Sequence, residues 1–275
     1  MKAARIEAPG DPGAAPFRLL REPSALAAAG LFGAEGRLVI ERLLGPASRF
    51  QMRALLATPR ALEALAPLVA RGAPDAALFV AEQEVLEAVV GHRLHRGCVA
   101  LAERGAPAEP AEVIAAARAA GRALLACENV ADPDNLGALF RNAAAFGVGG
   151  VLLSPGGGDP LYRKAVRASM GASLEIPFAR CAPWPGALAA LSEAGYRVVA
   201  LAPRASLALD TLPAAEANAI LVGSEAEGLS AAALAAAHVA VRIPICPDVD
   251  SLNVATAAAI ALHRIAPPPT APCAS

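Results

Sequence analysis

The chain has 275 residues, of which 56% are hydrophobic and only 4% aromatic. This length suits one large domain or two ordinary domains with a full hydrophobic core. With 24 basic and 25 acidic residues the formal net charge is −1, so the overall basicity typical of nucleic-acid-binding proteins is absent. No apolar run reaches the ~18 residues of a membrane-spanning helix, and the first residues contain no apolar signal segment. The sequence therefore predicts a cytoplasmic protein without membrane contact.

The five cysteines are scattered along the chain. They show neither the C-x-x-C spacing nor the paired histidines that are typical of metal sites. We therefore expect buried or incidental thiols and no metal ion.

The first part of the chain alternates between predicted helices and strands. Helices are predicted over 35–44, 59–69 and 82–90, and strands over 52–57, 77–80 and 98–101. Thr58 followed by Pro59 is a typical helix start. This alternation predicts an α/β fold with a parallel or mixed sheet that is covered by helices. Proline and glycine residues over 103–111 indicate a linker.

The second part of the chain shows the same alternation. Strands are predicted over 123–127, 151–153, 175–178, 197–201, 219–222 and 239–243, and helices over 136–146, 160–170, 185–194 and 254–265. Three consecutive prolines end the last helix, and the tail over 267–275 is predicted to be disordered.

Three polar clusters, at 135–141, 223–229 and 251–254, each follow a predicted strand. Taken singly, each is explained as a helix cap or a turn. In the functional alternative, the start of the helix near Asn135 offers N–H groups to an anion, and Arg141 binds a phosphate or a ribose hydroxyl. Gly223 and Gly228 bracket two acids and let the backbone approach a ligand closely. Their spacing differs from that of the G-x-G-x-x-G pyrophosphate cradle. This difference favours an uncharged or cationic ligand over a dinucleotide.

In order and spacing, the clusters resemble the three motifs of the SpoU/TrmH family of SPOUT-class RNA 2′-O-ribose methyltransferases. The motifs here are Asn135…Arg141, Gly223-Ser224-Glu225-Ala226-Glu227-Gly228-Leu229 and Ile243-Pro244…Ser251-Leu252-Asn253-Val254. The segment 159–171 is also similar to that family, and the resemblance covers about residues 123–265. Residues 18–105 resemble, less sharply, the ribosomal-protein-like domain that precedes the catalytic domain in many members.

The resemblance implies an S-adenosylmethionine-dependent methyltransferase that modifies a ribose 2′-hydroxyl of RNA. It favours rRNA, and 23S rRNA in particular, over tRNA. The implied domains are an RNA substrate-binding domain over 18–105, a linker over 106–120 and a SPOUT methyltransferase domain over 121–266 with a deep trefoil knot. The resemblance further implies a homodimer with the active site at the dimer interface.

The resemblance also implies site residues, to which we add basic residues as candidates for RNA contact. The catalytic set is Arg141, Asn135, Glu225, Ser251 and Asn253. The cofactor-binding set is Leu201, Ala202, Gly223, Ser224, Glu225, Gly228, Ile243, Ile245, Ser251 and Leu252. The RNA-binding candidates are Arg163, Lys164, Arg167, Arg37, Arg93 and Arg96, for which a solvated surface is the alternative. Because an arginine with a pKa above ~12 is a poor base, we expect Arg141 to polarise the hydroxyl.

Two other functions stay open from the sequence. One is a non-catalytic RNA-binding protein of the same fold, and the other is a small-molecule α/β enzyme of the nucleotide-binding type. The near-neutral charge favours both alternatives, whereas the missing G-x-G-x-x-G pattern disfavours the second. A calorimetric titration with S-adenosylmethionine separates the first alternative from the methyltransferase.

Overall fold

The computed structural model describes residues 3–94 and 96–266. The chain forms two compact units. The first contains the residues up to Ala106 together with the segment Pro160–Glu175, and the second contains Pro107–Asp159 and the residues from Ile176 onwards. The predicted disordered tail over 267–275 lies outside the described residues. Within the described ranges, no helix is long and apolar enough to cross a membrane.

The elements are numbered in chain order. The strands are β1 (Ala4–Arg5), β2 (Leu31–Glu35), β3 (Met52–Ala57), β4 (Ala77–Val80), β5 (Cys98–Glu103), β6 (Leu124–Cys127), β7 (Gly150–Leu153), β8 (Phe178–Arg180), β9 (Arg197–Leu201), β10 (Leu207–Ala208), β11 (Asn218–Val222) and β12 (Val239–Arg242). The helices are α1 (Ala15–Arg18), α2 (Pro23–Ala28), α3 (Arg37–Leu43), α4 (Pro59–Gly72), α5 (Gln83–Val90), α6 (Pro110–Ala119), α7 (Pro133–Ala145), α8 (Arg163–Ala168), α9 (Ala187–Glu193), α10 (Ala231–Ala236) and α11 (Val254–Ile265). Short 3-10 turns lie at Pro12–Ala14, Leu19–Arg21, Ala172–Leu174 and Leu209–Thr211.

The first unit is built on a five-stranded mixed sheet with the order β1-β4-β3-β5-β2. Strand β5 runs antiparallel to both of its neighbours, and the other pairs are parallel. Buried side chains such as Phe17, Leu56 and Leu101 form its core. The prediction of a helix over 35–44 was wrong at its start, because Glu35 belongs to β2 and pairs with Val99 of β5. Gly36, with φ of +88°, separates β2 from α3.

The second unit is built on a seven-stranded, fully parallel sheet with the order β10-β12-β9-β11-β6-β7-β8. Its central strands are continuous apolar runs that are buried on both faces, as expected for parallel strands covered by helices. The α/β fold with a parallel sheet is therefore confirmed. Strands β7 and β8 lie on one side of β6, and β11, β9, β12 and β10 lie on the other. Open α/β sheets bind ligands at the carboxyl ends of strands at such a division.

The predicted linker over 106–120 is largely the helix α6. Val113, Ile114 and Ala117 bury one face of α6 in the core of the second unit. Pro110 stands at the first helical turn, where its missing N–H has no cost. Helix α6 was not predicted, because its apolar positions do not stand out in an alanine-rich segment.

The segment 160–175 also differs from its prediction. Its helix α8 covers only Arg163–Ala168, and the segment groups with the first unit rather than with the methyltransferase domain predicted over 121–266. Strand β8 begins at Phe178 instead of residue 175, because a 3-10 turn at Ala172–Leu174 intervenes.

In the second unit, α11 packs on α7, and Asn142 Nδ2 donates a hydrogen bond of 2.8 Å to the carbonyl of Ala255. The trefoil knot stays a prediction.

Candidate functional site

The first polar cluster lies on helix α7, directly after β6 and its connecting loop. Asp132 is the N-cap, and its carboxylate accepts hydrogen bonds from the backbone N–H groups of Asp134 and Asn135 at 3.0 and 2.9 Å. Pro133 occupies the first turn. Because Asp132 does the capping, the side chain of Asn135 is available for other contacts.

Asn135 joins the three clusters through its side-chain amide. Its Nδ2 donates to Glu225 Oε1 at 2.6 Å, and its Oδ1 accepts from Asn253 Nδ2 at 2.7 Å. The Oδ1 of Asn253 in turn caps α11 by accepting from the N–H groups of Ala255 and Thr256. Glu225, Asn135 and Asn253 therefore form one hydrogen-bonded chain, although 118 residues separate the two asparagines.

The second cluster is a tight turn that requires glycine. Strand β11 ends at Val222, and the N–H groups of Ser224 and Gly228 donate to each other's carbonyls at 3.2 and 3.0 Å. A Cβ on Gly223 would come closer to the backbone of Gly228 than the 3.0 Å that real Cβ contacts keep. Gly228 itself has φ of +70°. The turn thus presents Glu225 towards Asn135 without side chains at either end.

A buried carboxylate that the sequence analysis did not select holds the end of this turn. Glu128 directly follows β6 and is 3% exposed. It accepts hydrogen bonds from the N–H and hydroxyl of Ser230 at 2.8 and 2.7 Å and from Trp184 Nε1 at 2.9 Å. Ser230 is the N-cap of α10. An acid directly after a buried strand, at the edge where the other clusters lie, is the signal that could have identified Glu128.

We expect Glu128→Gln to lower the free energy of unfolding by about 1–3 kcal/mol, because the neutral amide leaves at least one buried donor unpaired or clashing. Urea unfolding followed by circular dichroism measures this change. Glu193→Gln is the matched control, since Glu193 is exposed on α9 and its substitution should change stability by less than about 0.5 kcal/mol. Equal stabilities of the two variants would contradict the role of Glu128.

A cavity of about 640 Å³ lies at the carboxyl ends of β9, β11 and β12. Its lining contains all ten predicted cofactor-binding residues, which are Leu201, Ala202, Gly223, Ser224, Glu225, Gly228, Ile243, Ile245, Ser251 and Leu252. Three carboxylates (Glu225, Glu227 and Asp250) and one arginine (Arg204) also border it. The cavity therefore combines apolar walls with an excess of negative charge.

Arg141 is exposed and lies six residues beyond Asn135, about 9 Å along α7 at 1.5 Å per residue. Within the described part of the chain it has no hydrogen-bond or ion-pair partner and does not line the cavity. Of the predicted catalytic set, Asn135, Glu225 and Asn253 are hydrogen-bonded together, and Ser251 and Glu225 line the cavity. Arg141 stands apart from them, with its guanidinium free.

The basic RNA-binding candidates all lie in the first unit, in two different situations. Lys164, Arg167, Arg37, Arg93 and Arg96 are exposed, although Arg37 pairs with Glu41 at 2.6 Å. Arg163 differs from its prediction as a surface contact, because its Nη1 lies 3.3 Å from Glu35 Oε1 and its side chain is only 23% exposed. His92 also contacts the same Glu35 oxygen, at 2.9 Å. Arg163 provides the opposite charge that a carboxylate only 6% exposed requires.

Within residues 3–94 and 96–266, no group of three or more histidine, cysteine, aspartate or glutamate side chains is arranged to hold a metal ion. Cys98, Cys127 and Cys181 are buried free thiols, and Cys246 is an exposed one. Burial raises the pKa of the Cys181 thiol to about 11, so this thiol stays protonated at neutral pH.

Comparison with known proteins agrees with this geometry. The sequence model of the SpoU rRNA Methylase family matches residues 122–263. Over 267 residues the chain is 43% identical to an uncharacterized tRNA/rRNA methyltransferase, Mb0905, of Mycobacterium bovis, covering 93% of this chain and 89% of that protein.

Two solved structures are similar over nearly the whole chain. The AdoMet-bound rRNA methyltransferase from Sinorhizobium meliloti has a TM-score of 0.81 and 27% identity, covering 95% of this chain and 97% of that one. A structure described as an RNA 2′-O ribose methyltransferase has a TM-score of 0.75 and 27% identity, covering 94% and 97%. The resemblance drawn from the three motifs is thereby confirmed. The chain belongs to the SpoU rRNA Methylase family of RNA methyltransferases.

Proposed function

We propose that the protein transfers a methyl group from S-adenosylmethionine to a ribose 2′-hydroxyl of RNA. The observation that carries this proposal is the hydrogen-bonded chain of Glu225, Asn135 and Asn253 beside the 640 Å³ cavity. The relative from Sinorhizobium meliloti is described as AdoMet bound, and a second relative as a 2′-O ribose methyltransferase. These descriptions support the same cofactor and the same acceptor here.

The cavity fits S-adenosylmethionine in size and in charge. Its volume lies within the roughly 300–1,000 Å³ of small-molecule sites. The side chains of Leu201, Ile243 and Leu252 offer apolar walls, and the bare backbone at Gly223 permits close approach. The three carboxylates on its border suit a cation. When bound, the cofactor supplies an electrophilic methyl group on a positively charged sulfonium centre.

In this proposal the residues of the chain mainly position the reacting groups. Asn135 holds the Glu225 carboxylate through the hydrogen bond of 2.6 Å, and Asn253 fixes the orientation of the Asn135 amide while it caps α11. Arg141 donates hydrogen bonds to the ribose oxygen, which makes the hydroxyl more acidic. As the oxygen takes the methyl group, the hydroxyl proton leaves to the adjacent RNA phosphate or to water. Bringing the acceptor oxygen into line with the methyl group supplies a large contribution to the rate of such a transfer.

The position of Arg141 supports a homodimer. Its guanidinium is exposed, and among the described residues it is not part of the cavity lining. A second copy of the chain that presents its own Arg141 would complete the site. We therefore include in the proposal a homodimer whose active site lies at the interface between two copies.

We further propose rRNA, rather than tRNA, as the substrate, bound through a substrate-binding domain over 18–105. The exposed side chains of Arg37, Arg93, Arg96, Lys164 and Arg167 support contact with RNA phosphates. We also propose a cytoplasmic location, which suits a protein that acts on rRNA.

The contact between Asn135 and Glu225 predicts a pH effect. In the variant Asn135→Asp a carboxylate would stand where the Asn135 amide now donates to Glu225 Oε1 at 2.6 Å, so the two carboxylates would repel each other unless they share a proton. The pairing therefore depends on a shared proton, which is bound at low pH and is lost as the pH rises. We expect methyl transfer to fall at least ten-fold between pH 5.5 and pH 8 relative to the wild type.

Initial rates across this pH range measure the effect, and Asn135→Ala is the control. It removes the same hydrogen bonds without adding a carboxylate, so its rate should be low at every pH. If the rates of Asn135→Asp and Asn135→Ala depend on pH in the same way, the close contact between residue 135 and Glu225 is contradicted.

The proposed chemistry is tested by the position of the methyl group. The full chain is incubated with tritiated S-adenosylmethionine and unmodified rRNA or tRNA transcripts, and the product RNA is hydrolysed in alkali. A 2′-O-methyl group blocks attack of the 2′-oxygen on the neighbouring phosphate, so label in alkali-resistant dinucleotides is the expected result. Label in mononucleotides would show base methylation and overturn the ribose assignment. Cofactor binding without label in either RNA would instead favour the non-catalytic alternative.

A further inference from the structure

A second cavity, of about 440 Å³, lies within the first unit and is lined by Arg37, Arg60 and Arg96. We propose that this arginine cradle binds a phosphate group of the RNA backbone, at a site separate from the methyl-transfer cavity. The inference rests on the proposed function in one respect, namely that the phosphate belongs to the substrate RNA. Arg60 was not among the basic residues that the sequence analysis selected.

The cradle carries positive charge, and two of its three arginines have no ion-pair partner among the described residues. Among the described lining residues there is no acidic side chain beside the three arginines. Arg60 and Arg96 are exposed and have no ion-pair partner within the described ranges, whereas Arg37 pairs with Glu41. Three guanidinium groups at one cavity repel one another, and an anion relieves that repulsion.

Two of these charges, on Arg37 and Arg96, also act on the buried thiol of Cys98 in β5. Burial raises the pKa of this thiol to about 11. A backbone hydrogen bond at Gly36 and the positive charges of Arg96 and Arg37 lower this pKa. The carboxylate of Glu41, which pairs with Arg37, raises the pKa. Both guanidinium groups therefore lie within electrostatic reach of one buried atom in β5. Arg37 begins α3 and Arg96 lies just before β5, 59 residues apart in the chain.

The backbone beneath the arginines is closely packed. Gly97 has φ of +56°, and a Cβ on it would lie 2.8 Å from the side chain of Thr58 and 2.9 Å from Gln83 Oε1. The N–H of Thr58 donates to the carbonyl of Gly97 at 2.8 Å, and Gln83 Nε2 donates to the carbonyl of Leu94 at 2.7 Å. The backbone carbonyls of Leu94 and Gly97 are thus held in place before any ligand binds. Thr58 also caps α4, whose first N–H groups add partial positive charge.

The chemistry of the lining selects a phosphate of the backbone over a base. Planar guanidinium groups match the oxygens of a phosphate with paired hydrogen bonds. Among the described lining residues there is no aromatic side chain on which a base could stack. We therefore infer a contact that is independent of RNA sequence and that helps to fix the position of the RNA.

The experiment compares two arginines of the same helix. Arg60 lies at the start of α4 in the cradle, and Arg71 lies exposed at its end. Binding of a fluorescein-labelled 30-nucleotide hairpin RNA to the full chain is measured by fluorescence anisotropy at several NaCl concentrations. We expect Arg60→Gln to weaken binding roughly three- to ten-fold and to reduce the slope of log K against log [NaCl] by about 0.7–0.9. Arg71→Gln should match the wild type in both quantities.

Gly97→Ala provides a second variant, because its methyl group would press against the side chains of Thr58 and Gln83, which line the cradle, while every charge is kept. Its RNA binding should weaken to a similar degree, and S-adenosylmethionine binding measured by calorimetry should be unchanged in all three variants.

Equal affinity and salt slope for Arg60→Gln and Arg71→Gln would overturn the proposal. A second result would also overturn the proposal. If calorimetry gives a dissociation constant below about 1 mM for inorganic phosphate or AMP, and Arg60→Gln leaves the salt dependence of RNA binding unchanged, the cradle binds a free anion instead of RNA. Absence of methyl transfer by the wild type would contradict the proposed function only, because the salt slope measures the cradle by itself.

Discussion

The variant Gly223→Ala is expected to lose S-adenosylmethionine binding by at least 100-fold. A Cβ at this position would overlap the carbonyl group of Gly228 and the N–H of Leu229, which are backbone atoms and cannot rotate away. The turn must therefore open, which displaces Glu225 from the cavity border and from Asn135. Isothermal titration calorimetry with S-adenosylmethionine measures the loss directly.

Gly121→Ala is the matched control for this prediction. Gly121 has φ of +63° and nothing within 4 Å of an added Cβ, and it lies just before β6, away from the carboxyl ends of the strands. Its substitution adds backbone strain of about 1–2 kcal/mol without a steric overlap, so cofactor affinity should stay at the wild-type value. Wild-type affinity in a folded Gly223→Ala protein would show that the turn does not border the cofactor.

The variant Arg141→Lys is expected to lower kcat for methyl transfer by about 10²–10³-fold, a typical cost of removing one donor to a developing oxyanion. Lysine keeps the positive charge but loses the planar fork of donors. Cofactor affinity should be unchanged, because within the described residues Arg141 stands outside the cavity lining. Single-turnover rates and calorimetry separate the two quantities.

Arg122→Lys is the matched control, since Arg122 is exposed in the same unit and lies just before β6, at the opposite end of that strand from the site. Its rate should equal that of the wild type. A wild-type kcat for Arg141→Lys would rule out any need for the guanidinium fork.

The proposed homodimer can be tested with the same substitutions. In a mixed dimer, the Arg141→Ala subunit keeps an intact cavity and the Gly223→Ala subunit keeps an intact Arg141. These two intact parts form a working site only if Arg141 acts across the interface. Recovery of activity on mixing would then support action from the partner subunit. No recovery, with mixed dimers demonstrated by native mass spectrometry, would place Arg141 and the cavity of one subunit together.

The sequence by itself determined the features that depend on local patterns. The buried strands β6, β7 and β11 are continuous apolar runs, and their limits were predicted within one residue or two. The start of α4 followed from Thr58 and Pro59, because capping is a local interaction. The polar clusters were likewise visible, since each lies beyond the carboxyl end of a strand and a parallel sheet brings such ends to one edge.

The tertiary structure decided which side chains meet. Asn135 contacts Glu225 and Asn253 across 90 and 118 residues, and Glu128 contacts Ser230 across 102, distances over which no local pattern operates. Long-range pairing also made Glu35 a strand residue, although the helical spacing that follows it had suggested otherwise.

The tertiary structure also decided which basic side chains are exposed to solvent. Arg163 and Lys164 are neighbours in the chain, yet Arg163 pairs with the buried Glu35, whereas Lys164 faces solvent. Helix α6 exists because the core of the second unit covers its apolar face, which its alanine-rich sequence did not reveal. Local propensity sets where elements begin and end, and packing between distant segments determines which charges are neutralised and which stay available for RNA.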